Sequence, residues 1–118
     1  MKPLFIEYPK CSTCIRARKC LEQLGVDFID RHIVEETPTK EELQDFYLRS
    51  GLPLKKFFNT SGKLYKEQNL KDKLPSMSEE EQLTLLSSNG MLIKRPILVT
   101  DDVVMVGFKE DNYVNLFK

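Results

Sequence analysis

Two cysteines, Cys11 and Cys14, stand at C-x-x-C spacing in the stretch Lys10-Cys11-Ser12-Thr13-Cys14. An extended apolar run, Leu4-Phe5-Ile6, and a breaker pair, Tyr8-Pro9, precede them. A helical pattern through Ile15, Ala17, Leu21 and Leu24 follows and stops at Gly25. The pair therefore falls where a strand ends and a helix begins. A thiol is nucleophilic only as thiolate, and a free cysteine titrates near pH ~8.5. At a helix start the first backbone N–H groups lack partners, and the macrodipole leaves partial positive charge there. Cys11 at or beside the N-cap, with the cation of Lys10 adjacent, is expected to ionise more readily than a free thiol. Cys14 lies one turn further along the same face, where Cβ atoms are roughly 5–6 Å apart. A modest adjustment from there reaches disulfide geometry. The expected chemistry is attack by Cys11 and resolution by Cys14. The competing readings are half of a zinc site or two inert thiols. Zinc takes four ligands, and only Cys20 and His32 remain to complete a set, with Cys20 on another helix face.

The elements that must position this pair read as follows. Residues 3–8 form a buried strand and residues 12–24 the cysteine helix. Cys20, beside Ala17, Leu21 and Leu24, is either a small buried hydrophobe or a regulatory thiol. Residues 26–34 look like a second strand, with Phe28 and Ile29 as core candidates. His32 has no partner visible in the sequence and reads as a packed or surface histidine. The middle is helical. Pro38-Thr39 with Glu42 matches a capping box, followed by the apolar face of Leu43, Phe46 and Tyr47 and a stop at Ser50-Gly51. A short helix is expected over residues 52–58, stopped by the turn formers Asn59-Thr60-Ser61-Gly62. Residues 63–74 are amphipathic but irregular, and Pro75 breaks them. Ser78 with Glu81 makes a second capping box leading into Leu83, Leu85 and Leu86. Lysines 55, 56, 63, 66, 71 and 73 read as a solvated face balanced by Glu79, Glu80 and Glu81.

The last quarter returns to strands. Residues 97–99 and 103–106 flank Thr100-Asp101-Asp102 as an antiparallel hairpin. A closing helix starts near Glu110, with Val114 and Phe117 facing inward. The order is βαβ, then helices, then ββα, with the first two strands parallel across a crossover. That is an α/β, thioredoxin-like arrangement over residues 1–118, with a helical block inserted at about 37–90. Arg95-Pro96 directly precedes the third strand. In such a fold this turn faces the cysteine helix, so a cis bond at Pro96 lining the groove over Cys11 is expected. A trans proline merely opening a strand is the alternative. Arg95 is then an anion-binding side chain beside the groove, or else an ordinary surface cation.

Composition narrows the field. At 118 residues the chain is expected to be one domain with an ordinary core. Its 18 basic and 18 acidic side chains cancel, which gives no electrostatic reason to expect nucleic-acid or membrane partners. No apolar run matches a membrane span, and Met1-Lys2-Pro3 does not open like a signal peptide. Three cysteines in such a chain suggest the reducing cytoplasm rather than a disulfide scaffold.

Five segments fall in order along nearly the whole chain: Tyr8 to Cys14, Pro38-Thr39-Lys40-Glu41-Glu42-Leu43, Phe57-Phe58-Asn59-Thr60-Ser61-Gly62, Met91-Leu92-Ile93-Lys94-Arg95-Pro96 and Val106-Gly107-Phe108. Together they resemble the arsenate reductase (ArsC)/Spx family, especially its glutaredoxin-like Spx/MgsR branch. The resemblance implies a thioredoxin-like fold with a helical insertion and a reactive Cys11. In the arsenate reductases it implies attack of that thiolate on arsenate, reduction of the adduct with glutathione and glutaredoxin, and three arginines on the oxyanion. Only Arg95 matches one of them, Asn59 and Gly107 occupying the other two positions. A tetrahedral dianion is best held by several bidentate, charge-assisted bonds, which Asn and Gly side chains do not supply. Lys55, Lys56 and Lys63 are candidates to compensate. Cys14 favours an intramolecular disulfide cycle, as in the Spx-like branch. That branch often carries an arginine directly after the second cysteine, where this chain has Ile15 followed by Arg16.

Two functions follow as expectations. One is a thiol–disulfide oxidoreductase of the arsenate reductase family, linked to a glutathione/glutaredoxin or thioredoxin system, acting on arsenate or a disulfide. Cys11 is then nucleophile, Cys14 resolving thiol, Arg95 the anion clamp and Pro96 the groove wall, with Lys10, Ser12, Thr13 and Asn59 around the substrate. The amides of Ser12, Thr13 and Cys14 would cradle the thiolate or an oxyanion. Glutathione enters as a co-substrate, with no bound cofactor and no metal. The other is a redox-gated transcription regulator that docks on the RNA polymerase alpha subunit, with the cysteine pair as sensor.

Overall fold

The computed structural model describes residues 2–118. Its sheet has four strands: β1 (Leu4–Glu7), β2 (Ile29–His32), β3 (Ile97–Val99) and β4 (Val104–Val106), in the spatial order β2-β1-β3-β4. β1 pairs in parallel with β2 and antiparallel with β3, and β3 and β4 close the hairpin. β1 is central and covered on both faces, so Phe5, Ile6 and Glu7 are all buried. The crossover between β1 and β2 is α1 (Ser12–Gln23). Between β2 and β3 stand α2 (Lys40–Ser50), α3 (Lys63–Glu67), α4 (Leu70–Lys73) and α5 (Glu79–Ser88), with a 3₁₀ turn over Leu54–Phe57. α6 (Glu110–Leu116) ends the chain. The chain is thus α/β and thioredoxin-like, as its order of elements predicts.

Strand alternation divides the core into two parts. Ile6, Ile97 and Val104 face the inserted helices, with Leu43, Phe57, Leu83 and Leu86. Phe5 and Leu98 face α1 and α6, with Ala17, Cys20, Leu21 and Tyr113. Both expected capping boxes form: Thr39 and Ser78 accept from the amides of Glu42 and Glu81, whose carboxylates reach back to the cap amides. Glu42 also takes a bidentate pair from Arg31 at 2.8 and 2.9 Å, which ties β2 to the start of α2 and, with the cap amide, holds its carboxyl down at about 2.

Several expectations are corrected. The second strand is four residues rather than nine, and Ile29 is 52% exposed, because β2 is an edge strand; Ile33, just beyond it, is the buried residue. The amphipathic stretch after Gly62 breaks at Asn69, which takes a left-handed φ of 53°, and Pro75 lies inside a 3₁₀ turn rather than past a helix end. In α6 the fully buried side chain is Tyr113, with Val114 only half-buried. The acidic run does not balance the lysine face. Glu79 accepts from Tyr47, Glu80 pairs with Lys40, and Glu81 closes its own capping box.

Two backbone-level constraints can be tested. Gly90 packs so tightly that a Cβ there would lie 2.1 Å from the carbonyl oxygen of Ile33. Backbone cannot yield as a side-chain tip can, so Gly90→Ala should lower stability by roughly 3 kcal/mol, read as a shift of the urea midpoint. Glu7, at 1% exposure, contacts Arg18, which also reaches Asp30 at 3.3 Å. Burial, with the Asp30 carboxyl beside it, outweighs the guanidinium and lifts Glu7 from 4.5 to about 7. A carboxyl raised on folding stabilises below its unfolded value and loses that contribution as pH climbs through its folded one. The stability of the protein relative to Glu7→Gln should therefore fall between about pH 4.5 and about pH 7, checked by urea midpoints across that window.

Candidate active site

The site begins where β1 ends. A turn closed by the Cys11 amide on the Tyr8 carbonyl (3.0 Å) delivers Cys11 as the N-cap of α1, with extended backbone. Its carbonyl already accepts from Ile15 at 3.0 Å, so the helix starts there. Cys11 is half-buried, whereas Cys14, a turn inward, is fully buried, and both are free thiols.

The same environment moves the two sulfurs in opposite directions. Partial burial works against ionising Cys11, but the Cys14 amide and thiol, the Thr13 amide and the Arg95 guanidinium together bring its pKa below the ordinary thiol value. Cys14 is pushed up to about 12, chiefly by burial and then by its contact with Cys11, despite a backbone hydrogen bond from Tyr8 and the charge of Arg95. One sulfur thus ionises more readily than an ordinary thiol and the other less readily.

Arg95 reaches the site from the turn before β3. Its peptide bond to Pro96 is cis, as the sequence predicts. The guanidinium lies 5.2 Å from the centroid of the Tyr8 ring, a cation–π contact. Its Nε and Nη1 are buried without a hydrogen-bond partner among the described residues. Donors left in that condition are costly unless an anion arrives to accept from them.

These groups open onto a cavity of about 760 Å³. Cys11, Thr13, Asn59 and Arg95 line it. Lys10 and Ser12 are exposed outside that lining, and Pro96 is buried behind it, with its carbonyl accepting from the Gly107 amide at 2.8 Å. The groove wall expected at Pro96 is therefore supplied by Arg95 and by the β4 side. Of the candidate compensating lysines, Lys56 lines the cavity and Lys55 and Lys63 do not. Asn59 and Gly107, which the resemblance sets at two arginine positions of the family, line it as well, and a Cβ at Gly107 would sit 3.1 Å from Lys94 Cε.

Sequence reasoning missed several further lining residues, among them Arg16, Lys94, Lys109 and Tyr113. Arg16 carried a signal, since it follows Cys14 by two positions, and its Nη2 lies 3.5 Å from the Thr13 hydroxyl. Tyr113 keeps its hydroxyl buried and unpartnered among the described residues, and burial raises its pKa. The residues once considered for zinc are engaged otherwise. Cys20 is packed in the α1–α6 core, and His32 Nδ1 accepts from the amides of Val34 and Glu35 at 3.1 Å each.

Comparison with known proteins now decides the family. The ArsC family model matches residues 6–116. The chain belongs to the ArsC family. Within it, the chain is 57% identical to the protein YusI of Bacillus subtilis over 96% of both chains. It is 52% identical to a solved ArsC family related protein from Bacteroides fragilis, at a TM-score of 0.95 over 98% of each. More distant members differ in their named roles. The regulatory protein MgsR of Bacillus subtilis is 30% identical over 97% of this chain and 89% of its own. The arsenate reductase of Vibrio cholerae is 27% identical, with a TM-score of 0.86 over 98% of this chain and 97% of its own.

The electrostatics of Cys11 yield a direct measurement. Thiolate ultraviolet absorbance of the reduced protein should rise with a midpoint below pH ~8.5, the free-cysteine value, and Cys11→Ser should remove that step. Arg95→Ala should move the midpoint upward. A step unchanged by Arg95→Ala would separate that guanidinium from the sulfur.

Proposed function

We propose that this ArsC-family chain is a thiol–disulfide oxidoreductase, with Cys11 as nucleophile and Cys14 as resolving thiol. The observation that carries the proposal is the opposed setting of two neighbouring sulfurs, one half-exposed and acidified, the other buried and pushed up to about 12. In the forward step the Cys11 thiolate attacks a substrate sulfur, the substrate S–S bond breaks, and its leaving thiolate takes up a proton. Cys14 then gives up its proton and attacks Cys11 Sγ, forming the internal disulfide and expelling the second thiol. Two electrons pass from the cysteine pair to the substrate. A glutathione/glutaredoxin or thioredoxin system returns them, as the reducing cytoplasm allows. Thr13 and the Cys14 amide hold the thiolate, and Arg95 holds an anionic part of the substrate.

The same thiolate could attack arsenate, and the resemblance to the Vibrio cholerae enzyme supports that chemistry. Disulfides are favoured as substrates because Asn59 and Gly107 leave Arg95 as the one matching arginine of the family's three. Lys56 and Lys94 add positive charge but not the planar, two-pronged geometry that a tetrahedral dianion prefers. A second reading draws on the similarity to MgsR over nearly the full chain. On that reading the cysteine pair of this chain would gate a surface for the RNA polymerase alpha subunit instead of turning over a substrate. Capture of that subunit by the oxidised but not the reduced chain, without turnover on any disulfide, would favour regulation.

Cys11→Ser should abolish reduction of a glutathionylated peptide in a glutaredoxin-coupled NADPH assay. Cys14→Ser should instead accumulate a mixed disulfide at Cys11, visible by intact mass. Equal residual activity in both variants would overturn the assignment of roles.

A further inference from the structure

The cavity at Cys11 has one wall of an unusual kind. Val104, Met105, Val106, Gly107 and Phe108 are consecutive, and all line it. Their side chains do not share a face. Val104 packs into the core under the inserted helices with Val106 against it, whereas Met105 and Phe108 pack towards α1 and α6. The first three of them are β4, and what consecutive residues of a strand and its continuation have in common is their edge. β4 is the last strand of the sheet, so among the described residues that edge has no neighbouring strand.

The ladder shows which backbone groups the edge presents. The Thr100 amide donates to Val103 O and the Gly107 amide to Pro96 O, both at 2.8 Å, with Leu98 opposite Met105 between them. In an antiparallel pair the inward-bonded residues alternate with outward ones. The N–H and C=O groups of Val104 and Val106 therefore point away from β3, towards the cavity. Such a row is a ready template for an incoming strand.

Charge selects what would come in. Arg16, Lys56, Lys94, Arg95 and Lys109 line this cavity, and among the described residues no Asp or Glu does. The chain as a whole carries no net charge, so the concentration of cations is local. The volume, about 760 Å³, lies in the range that encloses ligands well beyond a single tetrahedral oxyanion.

We infer that β4 receives an extended, acidic, cysteine-bearing segment of a protein as an added strand, which presents its disulfide to Cys11. This rests on the thiol–disulfide reading above and deepens it by naming the substrate class. The segment's sulfur accepts the Cys11 thiolate, its former S–S partner leaves as a thiolate, and Cys14 then releases the segment as a free thiol. An external dithiol of the thioredoxin or glutaredoxin class supplies the two electrons that reset the pair.

The test uses the full, reduced chain carrying Cys14→Ser, so that each attack stops at the mixed disulfide. The probes are synthetic peptides whose one cysteine is activated with thionitrobenzoate, whose release is followed by colour. An acidic peptide should react about tenfold faster than its lysine counterpart at low ionic strength, with the gap closing as salt is added. Two further acidic peptides carry N-methyl groups on alternate amides, one for each register. One of them should react about tenfold more slowly, having lost its bonds to the strand edge, and the other should be little changed. Combined Lys94→Glu and Lys109→Glu should erase the acidic preference. Equal rates for acidic and basic peptides, or an acidic preference untouched by methylation in either register, would overturn strand addition. The thionitrobenzoate disulfide of glutathione serves as the small control. If it too fails to react, the thiol–disulfide reading itself falls, an outcome distinct from loss of peptide preference alone.

Discussion

The structure depends on a helix that starts on a sulfur. A helix leaves its first amides without internal partners, and natural N-caps are usually oxygen-bearing side chains such as Thr39 and Ser78 in this same chain. At α1 the cap is Cys11, and its side chain makes no capping hydrogen bond as a neutral thiol. The amides of Thr13 and Cys14 are thus available to a sulfur that has lost its proton. Where β1 ends decides where those amides point. β1 is held on both sides by β2 and β3 and is buried along three of its four residues. The sheet's most constrained strand therefore delivers the thiol whose pKa is lowered.

From that anchor the asymmetry between the two thiols follows without special groups. One turn of helix carries Cys14 from the rim into full burial, and burial disfavours the charged form. Arg95 comes from the turn before β3, and its guanidinium lies over the Tyr8 ring. It faces the sulfur with donors to spare. The family relationship accounts for the common frame, and the charge of the cavity comes from Arg16, Lys56, Lys94, Arg95 and Lys109.

The parts of this arrangement that were readable in the sequence are the local ones. Cys11 at the helix start, the capping boxes at Thr39 and Ser78, the hairpin around Thr100 and the cis bond at Pro96 each depend on a few adjacent residues or on one motif. Ile29 misled because apolar character does not reveal that a strand lies at the sheet's edge. Asn69 breaks a helical pattern by adopting a left-handed conformation that spacing alone does not announce. Arg16, Lys94, Lys109 and Tyr113 meet only because α1, the turn before β3 and the start of α6 converge on one cavity. Arg16 stands two positions past Cys14 and Lys94 directly before Arg95, but nothing in the immediate neighbours of Lys109 or Tyr113 marks them. Convergence of distant segments is a property of the folded sheet, and periodicity does not report it.

The sulfur cap has a consequence for the oxidised protein. A Cys11 tied into a covalent bond carries no negative charge for the first amides of α1, so those amides turn to water and the opening turn is less firmly moored. Electron count at two atoms is thereby written into the mechanical rigidity of a helix end. If Cys11 and Cys14 are joined in a disulfide, the rim around residues 11–16 would be held less firmly than beneath a thiolate, with no part of the sheet needing to move.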